Sequence, residues 1–288
     1  MDAAAIIIVS ALATIATLVV VSAGLAVVFG LMRVVNMAHG EFLMLGALIT
    51  TTLVLKVGVP LWLAMIAATV AGAAVGAVLE IVLVSRIYQR RIVDTLLITF
   101  GLSLVMFQIA VDIFGTTPPG IETPLGAITI GAYAFPAYTL VLVGSAIAMI
   151  AALYFVFTRT KYGLLARATA QDPMMAQALG AGAKEINLMT FTLGCGLASL
   201  GGAIMAPMVS VSPSLGQAYV GQAFMAVVIA GPAFISGTVA SAILLGGVSA
   251  ALAQSTTALW GVTGLFLAAI AILRFRPTGL SGSWRRGL

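Results

Sequence analysis

Charged residues are scarce in this sequence. Only 7% of its 288 residues are Asp, Glu, Lys or Arg, whereas 62% are hydrophobic and the mean hydropathy is +1.20. A soluble domain is typically about half apolar and about a quarter charged. No aqueous fold of this length could bury so much apolar surface, so the composition excludes a soluble domain and indicates a chain that folds in lipid.

Cysteine and histidine each occur once, as Cys195 and His39. A single cysteine cannot form an internal disulfide or a cysteine-based metal site, and a single histidine excludes a histidine cluster. No metal site is therefore expected. The sequence also lacks a Gly-x-x-x-x-Gly-Lys-Ser/Thr phosphate loop. If ATP drives its function, the nucleotide must bind to a partner chain, and no cofactor is expected in this one.

Long apolar runs are what the sequence has instead of charge. A spanning helix needs roughly 20 apolar residues, so this length holds about eight or nine spans. The block 219–274 is interrupted by Gly231-Pro232 and by Gly261, and fits either one long and one broken helix or three short spans. We predict an all-α integral membrane protein, a polytopic helical bundle with about seven to nine spans, including short or broken helices. The predicted membrane segments are 3–31, 37–57, 61–85, 94–115, 132–158, 186–207 and 219–274.

Positive charge is confined to a few loops. Cytoplasmic loops carry an excess of Lys and Arg, so the three basic regions are predicted to face the cytoplasm. The C-terminus then lies inside and the N-terminus outside, and the span count is seven or nine; eight spans would need a re-entrant or extra half-helix. Eleven of the thirteen cations belong to these regions: Arg86, Arg90, Arg91, Arg159, Lys161, Arg167, Lys184, Arg274, Arg276, Arg285 and Arg286.

The whole chain, 1–288, is predicted to be a single transmembrane domain, and its longest predicted cytoplasmic segment is 159–185. Within this segment Asp172 precedes Pro173, a common arrangement at a helix start. We predict a short helix from Pro173 to Leu179 that ends at Gly180 and lies on the cytoplasmic face. The loop 116–131, with three prolines, is predicted to be a stiff outer connection.

Four motifs in the same order carry a resemblance to one family. They resemble the LivH-type permease subunits of branched-chain amino acid ABC importers, over nearly the whole chain. The sequence departs from that family at Ser85-Arg86-Ile87-Tyr88 and at Ala230–Gly237, where the change leaves the exact substrate open. The motifs are Asn36-Met37-Ala38-His39-Gly40-Glu41, Leu97-Ile98-Thr99-Phe100-Gly101-Leu102-Ser103, the stretch from Gly163 to Gly180, and Arg276-Pro277-Thr278-Gly279-Leu280.

The resemblance implies a transport function with several partners. It implies a permease subunit that moves a hydrophobic amino acid, most of all a branched-chain one, into the cytoplasm of a bacterium across the inner membrane. ATP hydrolysis in two cytoplasmic ATPase subunits would drive it, together with a second, LivM-type permease and a periplasmic substrate-binding protein. The residues that would couple the chain to the ATPases are Arg167, Asp172, Ala176, Leu179 and Gly180.

A second group of residues is a candidate for the substrate pathway or a gate. Asn36, His39 and Glu41 form a polar cluster at a predicted helix start, and polar residues at membrane depth are a functional hypothesis by default. Their place at the predicted cytoplasmic end favours a gate or a structural role, such as helix capping and a tie to Arg33, over substrate contact. Gly231 and Pro232 break a helix, which lipid tolerates only where protein or a cavity re-satisfies the backbone.

Other functions remain open. A stand-alone secondary transporter or channel would need a buried cluster of acids in the spans, and the sequence offers only Glu41 and Glu80. An ABC importer for urea, amides or small organic acids is a second alternative, because relatives of the family carry such substrates. No Ser-His or paired-Asp arrangement is visible, so the protein is not expected to be an enzyme.

Overall fold

The computed structural model describes residues 2–86, 92–130 and 133–282. Arg90, Arg91, Arg285 and Arg286, which belong to the predicted charge pattern, lie outside the described residues. The described chain forms α1 Asp2–Met32, α2 His39–Thr52, α3 Leu61–Val82, α4 Ile92–Phe114, β1 Ala127–Ile130, β2 Tyr133–Pro136, α5 Tyr138–Arg159, α6 Lys161–Gln171, α7 Pro173–Ala178, α8 Ala183–Met205, α9 Leu215–Ala230, α10 Phe234–Ser255 and α11 Ala258–Phe275.

Eight helices of the described part are long and apolar enough to cross a membrane: α1 to α5, α8, α10 and α11. A π-helical turn, Leu53–Val57, extends α2. A further apolar helix, α9, has only 16 residues. The predicted all-α membrane fold with a short segment is therefore confirmed. The block 219–274 holds three helices, and the first of them begins at Leu215, earlier than predicted.

The predicted start of the fifth segment, at residue 132, is wrong. Strands β1 and β2 form an antiparallel hairpin with Ala127 opposite Pro136 and Ile130 opposite Tyr133, and α5 begins only at Tyr138. The hydropathy of Tyr133–Pro136 is compatible with a membrane segment, but β-branched and aromatic residues also suit strands. The loop predicted as a stiff connection therefore ends in a two-stranded ribbon.

Close contacts between helices show which way each one runs. Helices α1, α3 and α5 are antiparallel to α8, and α10 is antiparallel to α1. The ends of α1, α3 and α5 consequently gather where α8 and α10 begin, and we call this the basic end because it carries Arg86, the 159–184 cations, Arg274 and Arg276. Helix α1 contacts α8 at Val20–Gly201 and Val28–Gly194, and α10 at Ile15–Gly246 and Gly30–Phe234. Helix α3 contacts α8 at Gly72–Ser199 and Gly76–Cys195. Helix α5 begins beside the end of α8, at Tyr138–Ile204, and ends beside the start of α10, at Phe157–Phe234.

Helix α8 lies at the centre of the packing because one side of it is built of small residues. A Cβ atom at Gly202 would overlap the backbone carbonyl of Leu43, and one at Gly46 would overlap that of Ser199. The Ser199 hydroxyl donates to the Ala68 carbonyl of α3 at 2.9 Å. Small residues let membrane helices approach until their backbones touch, which maximises van der Waals contact where no hydrophobic force acts.

Helix α2 is the buried helix of the bundle. Eleven of its 14 residues are buried, and they include His39, Glu41, Thr50 and Thr51. A helix that is buried on nearly all sides belongs in the interior of a large structure rather than at a lipid surface. Its neighbours are α8, α3, α9 and α4. Polar groups on α2 are therefore held away from lipid by surrounding helices.

Candidate functional site

The chain enters α2 through a tight polar turn. The backbone N–H of Ala38 donates to Asn36 Oδ1 at 3.1 Å, and the N–H of His39 donates to the Asn36 carbonyl at 3.2 Å. Such a side-chain bond to the backbone two residues on is the turn that asparagine favours. Asn36 thus lies in the turn that precedes the helix, and His39 is the first residue of the helix itself.

His39 lies deeper in the bundle than the sequence predicts. Its ring nitrogen Nε2 is 3.2 Å from the Val21 carbonyl of α1, and it must be the donor because a carbonyl can only accept. Val21 precedes the last residue of α1, Met32, by eleven positions, or about 16 Å of helix. His39 is the first residue of α2, and this helix therefore begins at a level well inside α1 and not level with its end.

Glu41 is a buried carboxyl with a specific partner on α4. Its side chain is 1% exposed, and its Oε1 accepts a hydrogen bond from the Ser103 hydroxyl at 2.7 Å. One turn earlier on α4, Thr99 accepts a bond from the Met37 backbone N–H at 3.1 Å. The tie to Arg33 considered above is not formed, because Arg33 is exposed and Glu41 bonds Ser103 instead.

Ser103 and Thr99 are the site residues that sequence reasoning missed, although both lie in the quoted motif. Two hydroxyls four residues apart on an apolar span share one helical face, and this spacing was the available signal. The two motifs that begin at Asn36 and at Leu97 are separated in sequence, yet these hydrogen bonds join them. Together they attach α4 to the buried helix α2.

Three polar atoms of the cluster have no hydrogen-bond partner among the described residues. They are Asn36 Nδ2, His39 Nδ1 and Glu41 Oε2, all in buried side chains. Buried polar groups are nearly always paired, so an unpaired one is a candidate for a contact made in another state or with a ligand. No group of three His, Cys, Asp or Glu residues in the described ranges could hold a metal ion.

Ser103→Ala should loosen α4 from the bundle. The substitution leaves Glu41 Oε1 buried without its donor, and such an unsatisfied group costs about 1–3 kcal/mol. We expect a lower midpoint of thermal unfolding in detergent. Ser145→Ala is the matched control, because the Ser145 hydroxyl bonds only within its own helix, to the Leu142 carbonyl. Equal midpoints for the two variants would contradict a role for Ser103 in holding α4.

The predicted coupling segment folds as two short helices at the basic end. Thr160 caps α6 by accepting from the Gly163 N–H at 3.1 Å, and its hydroxyl donates to the Val156 carbonyl of α5 at 2.6 Å. The Tyr162 hydroxyl lies 2.8 Å from Thr190 of α8, and burial raises the pKa of Tyr162 while this hydrogen bond lowers it. These bonds fix α6 to both α5 and α8.

Helix α7 has the cap and the stop that its sequence predicts. Asp172 Oδ1 accepts from the Met175 N–H at 3.0 Å, Pro173 occupies the first turn, and Gly180 has a φ of 90°. The helix ends at Ala178, one residue before the predicted end at Leu179. Glycine is the residue that adopts a positive φ without steric cost, so it ends the helix here.

The surface of this segment is apolar at several exposed positions. Ala176 is buried and anchors α7, whereas Met174 and Leu179 are 83% and 82% exposed. Arg167 is half-buried on α6 and has no acidic partner among the described residues. An exposed apolar helix beside an unpaired guanidinium is a surface suited to contact with another protein.

The helix break at Gly231-Pro232 is completed by the C-terminal tail. Gly231 has a φ of 76°, and a Cβ at this position would lie 2.7 Å from the Thr278 carbonyl. The Ser281 hydroxyl accepts from the Ala233 N–H at 3.0 Å and donates to the Ala230 carbonyl. The backbone groups freed by the break are thus bonded by protein, as a break within a membrane requires.

The candidate pathway residues fall into two separate places. Asn36, His39 and Glu41 lie together at the start of α2, while Gly231 and Pro232 lie against the tail at the basic end. Gly30 of α1 contacts Phe234, and Gly24 of the same helix contacts His39. About two turns of α1 therefore separate the two groups.

An apolar bundle of spanning helices with buried polar ties defines a multi-pass integral membrane protein. A family model described as the permease component of branched-chain amino acid transport systems matches residues 7–273. The chain belongs to this family. No solved structure matches it.

Curated relatives agree with this family over most of their length. A permease of Pseudomonas aeruginosa, the high-affinity branched-chain amino acid transport system protein BraD, is 27% identical over 92% of both chains. The "Probable branched-chain amino acid transport permease protein LivH" of Methanocaldococcus jannaschii is 24% identical, over 93% of this chain and 90% of its own. The high-affinity LivH permease of Escherichia coli K12 is 23% identical, over 92% and 91%. The resemblance to LivH-type permeases is confirmed.

Proposed function

We propose that this chain is the membrane-spanning permease subunit of an ABC importer that moves a hydrophobic, branched-chain amino acid into the cytoplasm. ATP hydrolysis in two cytoplasmic ATPase subunits drives it. A LivM-type permease forms the other half of the pathway, and a periplasmic binding protein delivers the substrate. The chain itself performs no covalent chemistry and carries no cofactor. Family membership and the names of the relatives support this proposal.

The observation that carries the proposal is the coupling surface at the basic end, formed by Arg167, Asp172, Ala176, Leu179 and Gly180. A permease must respond to movements of its ATPases, and a short, rigid, externally exposed helix can transmit such movement. Helix α7 is capped by Asp172, ends at Gly180 and continues from α6, which is bonded to α5 and α8. Its exposed Met174 and Leu179 offer apolar contacts to a partner.

The clustering of positive charge supports a cytoplasmic location for the basic end. Arg86, Arg159, Arg167 and Arg274 all lie there, and cations accumulate on the cytoplasmic side of membrane proteins. We therefore expect a cysteine placed at the exposed position Gln171, in a Cys195→Ala background, to resist a membrane-impermeant thiol reagent in intact cells. Permeabilised cells provide the control, since the same cysteine should then react. Labelling in intact cells would reverse the proposed orientation.

The buried polar cluster and the helix break are proposed as moving parts of the pathway. Asn36, His39 and Glu41 carry polar atoms without partners in the described chain, which suits groups that exchange contacts during a transport cycle. Gly231 and Pro232 join α9 to α10 without continuous helical hydrogen bonding. Discontinuous helices of this kind often mark the pathway in transporters.

Reconstitution tests the proposed function directly. The complete complex in vesicles, with its binding protein, should take up leucine only when ATP is present on the side of the ATPases. The purified single chain should hydrolyse no ATP, because it lacks a phosphate loop. Leucine uptake by the single chain without ATP would contradict the proposal and favour a stand-alone transporter. Uptake of urea or small organic acids with no uptake of leucine would retain the mechanism and change the substrate.

A further inference from the structure

Helix α4 is attached to the bundle along one face only. Thr99, Ser103 and Ala110 are buried on that face, and the first two bond to the α2 turn and to Glu41. Residues three or four positions apart lie on the same side of a helix, so these three mark the attached side. Met106 and Phe114 add further contacts with the core, and much of the remaining surface of α4 is exposed.

The opposite side of α4 carries a line of exposed residues with two polar members. Gln108 is nine residues from Thr99, which places it about 180° around the helix. We call this the Gln108 face, and all of its members are exposed. It consists of Leu97, Gly101, Leu104, Gln108 and Asp112.

Lipid is a poor environment for this face. Gln108 lies six residues before the end of α4, about 9 Å inside the span. Polar side chains at such depth almost always face the interior of a bundle or a water-filled cavity. The exposed residues of α5 provide the contrast, because from the start of the helix as far as Ala152 they are aliphatic or glycine: Leu140, Gly144, Ile147, Ala148, Ala151 and Ala152.

The chemistry of Gln108 and Asp112 selects a cationic donor. Gln108 Nε2 donates to Asp112 Oδ1 at 2.8 Å, which orients the carboxylate. The amide then presents its carbonyl oxygen, so both groups offer acceptors. An ammonium group has three donors and a positive charge, and it complements this pair. Asp112 is two residues from the end of α4 that lies opposite the basic end.

We propose that the Gln108 face lines the transport pathway, and that Asp112 and Gln108 receive the ammonium group of the amino acid as it enters. Leu97, Gly101 and Leu104 continue the same face toward the basic end, and they provide an apolar surface that the side chain of the substrate can contact. The choice of an amino acid as the ligand rests on the proposed function. The exposure of a polar face within the span is an observation that is independent of the proposed function.

Cysteine accessibility tests whether the face is in contact with water. In a Cys195→Ala background, Gln108→Cys and Leu104→Cys are compared with Ile147→Cys, an exposed position on the aliphatic side of α5. A hydrophilic methanethiosulfonate reagent is applied to the complete complex in vesicles. The two α4 cysteines should react at least about tenfold faster than Cys at 147, because the reactive thiolate forms in water and not in lipid. Leucine-loaded binding protein should slow their reaction.

Charge removal tests the role of Asp112. Asp112→Asn should lower the initial rate of leucine uptake at subsaturating substrate by about tenfold, because charge-assisted hydrogen bonds to the ammonium are lost. Asp112→Glu should restore most of the rate. Glu122→Gln removes one negative charge from the exposed loop after α4 and should have no effect. The amount of protein in the membrane should stay unchanged in all three variants, whereas a merely structural role would lower it for Asp112→Asn.

The two results separate failure of this inference from failure of the proposed function. Cysteines at 104 and 108 that react no faster than the one at 147, or normal uptake by Asp112→Asn in an active complex, would overturn the inference alone. A parent complex that moves no amino acid would overturn the proposed function and the assignment of an ammonium ligand. Rapid, leucine-protected labelling together with loss of uptake in Asp112→Asn is the result we expect.

Discussion

Gly180→Val should leave the permease in the membrane but reduce ATP-driven leucine uptake by at least about tenfold. Valine at a φ of 90° costs about 1–2 kcal/mol or more, because its branched Cβ collides with the backbone in the left-handed region. Helix α7 has only six residues, so the strain is relieved by unwinding its end. In the proposed coupling role, a helix α7 that unwinds at its end cannot transmit movement from the ATPases.

Two further substitutions disturb the segment formed by α6 and α7 by different means. Asp172→Ala removes the hydrogen bond to the Met175 N–H, and loss of such a cap costs about 0.5–2 kcal/mol. Arg167→Glu reverses a charge that has no acidic partner in the described chain, so in the proposed coupling role its effect reports on contact with the ATPase. We expect reduced uptake from both variants, with ATPase activity that loaded binding protein no longer stimulates.

Lys161→Ala is the control for these three variants, because Lys161 is an exposed residue at the far end of α6. It should transport at the parent rate. Uptake and ATPase rates are measured on the complete complex in vesicles, after the amounts of permease have been equalised. If Gly180→Val, Asp172→Ala and Arg167→Glu all behave like the parent, this segment is not the coupling surface.

Gly202→Val should prevent the permease from accumulating in the membrane at all. A Cβ at Gly202 overlaps the backbone carbonyl of Leu43, which cannot move as a side chain would. Helices α2 and α8 would have to separate, and overpacking of this kind costs about 1–3 kcal/mol or more. Gly46→Val should have the same effect from the other side of the contact, because it meets the Ser199 carbonyl.

Gly144→Val is the matched control for the packing prediction. Gly144 also lies in a membrane helix, but no atom lies within 4 Å of a Cβ built on it. The amount of protein in the membrane fraction and its unfolding midpoint in detergent provide the measurement. Normal accumulation of Gly202→Val would mean that α2 and α8 do not touch in the native protein.

Much of the architecture follows from the sequence because lipid leaves few options. A backbone in hydrocarbon must satisfy its own hydrogen bonds, so apolar runs of sufficient length become helices. The spacing Gly72-x-x-x-Gly76 is a sequence signal for close helix approach, and both glycines of α3 pack on α8, at Ser199 and Cys195. Asp172 before Pro173 identified the start of α7, since capping is a local property of a few residues.

The depth of the polar cluster was not predictable in the same way. Where α2 begins relative to α1 depends on the path of residues 33–38, which turn through a positive φ at Arg33 and an asparagine turn. Hydropathy measures the length of an apolar run and carries no information on such a turn. The partners of Glu41 and of the Ala233 backbone N–H were equally hidden, because Ser103 and Ser281 are distant in sequence and become neighbours only through packing.

The tail that completes the Gly231-Pro232 break has a consequence for biosynthesis. Ser281 follows Ala230 by 51 positions, and α10 and α11 are made between the two. Chains fold from the N-terminus onward as they are synthesised. The Ala230 carbonyl and the Ala233 N–H therefore lack their Ser281 hydrogen bonds while α10 and α11 are synthesised and inserted. These hydrogen bonds form only after Ser281 has been synthesised, so the part of the bundle around the end of α9 is the last to reach its native structure.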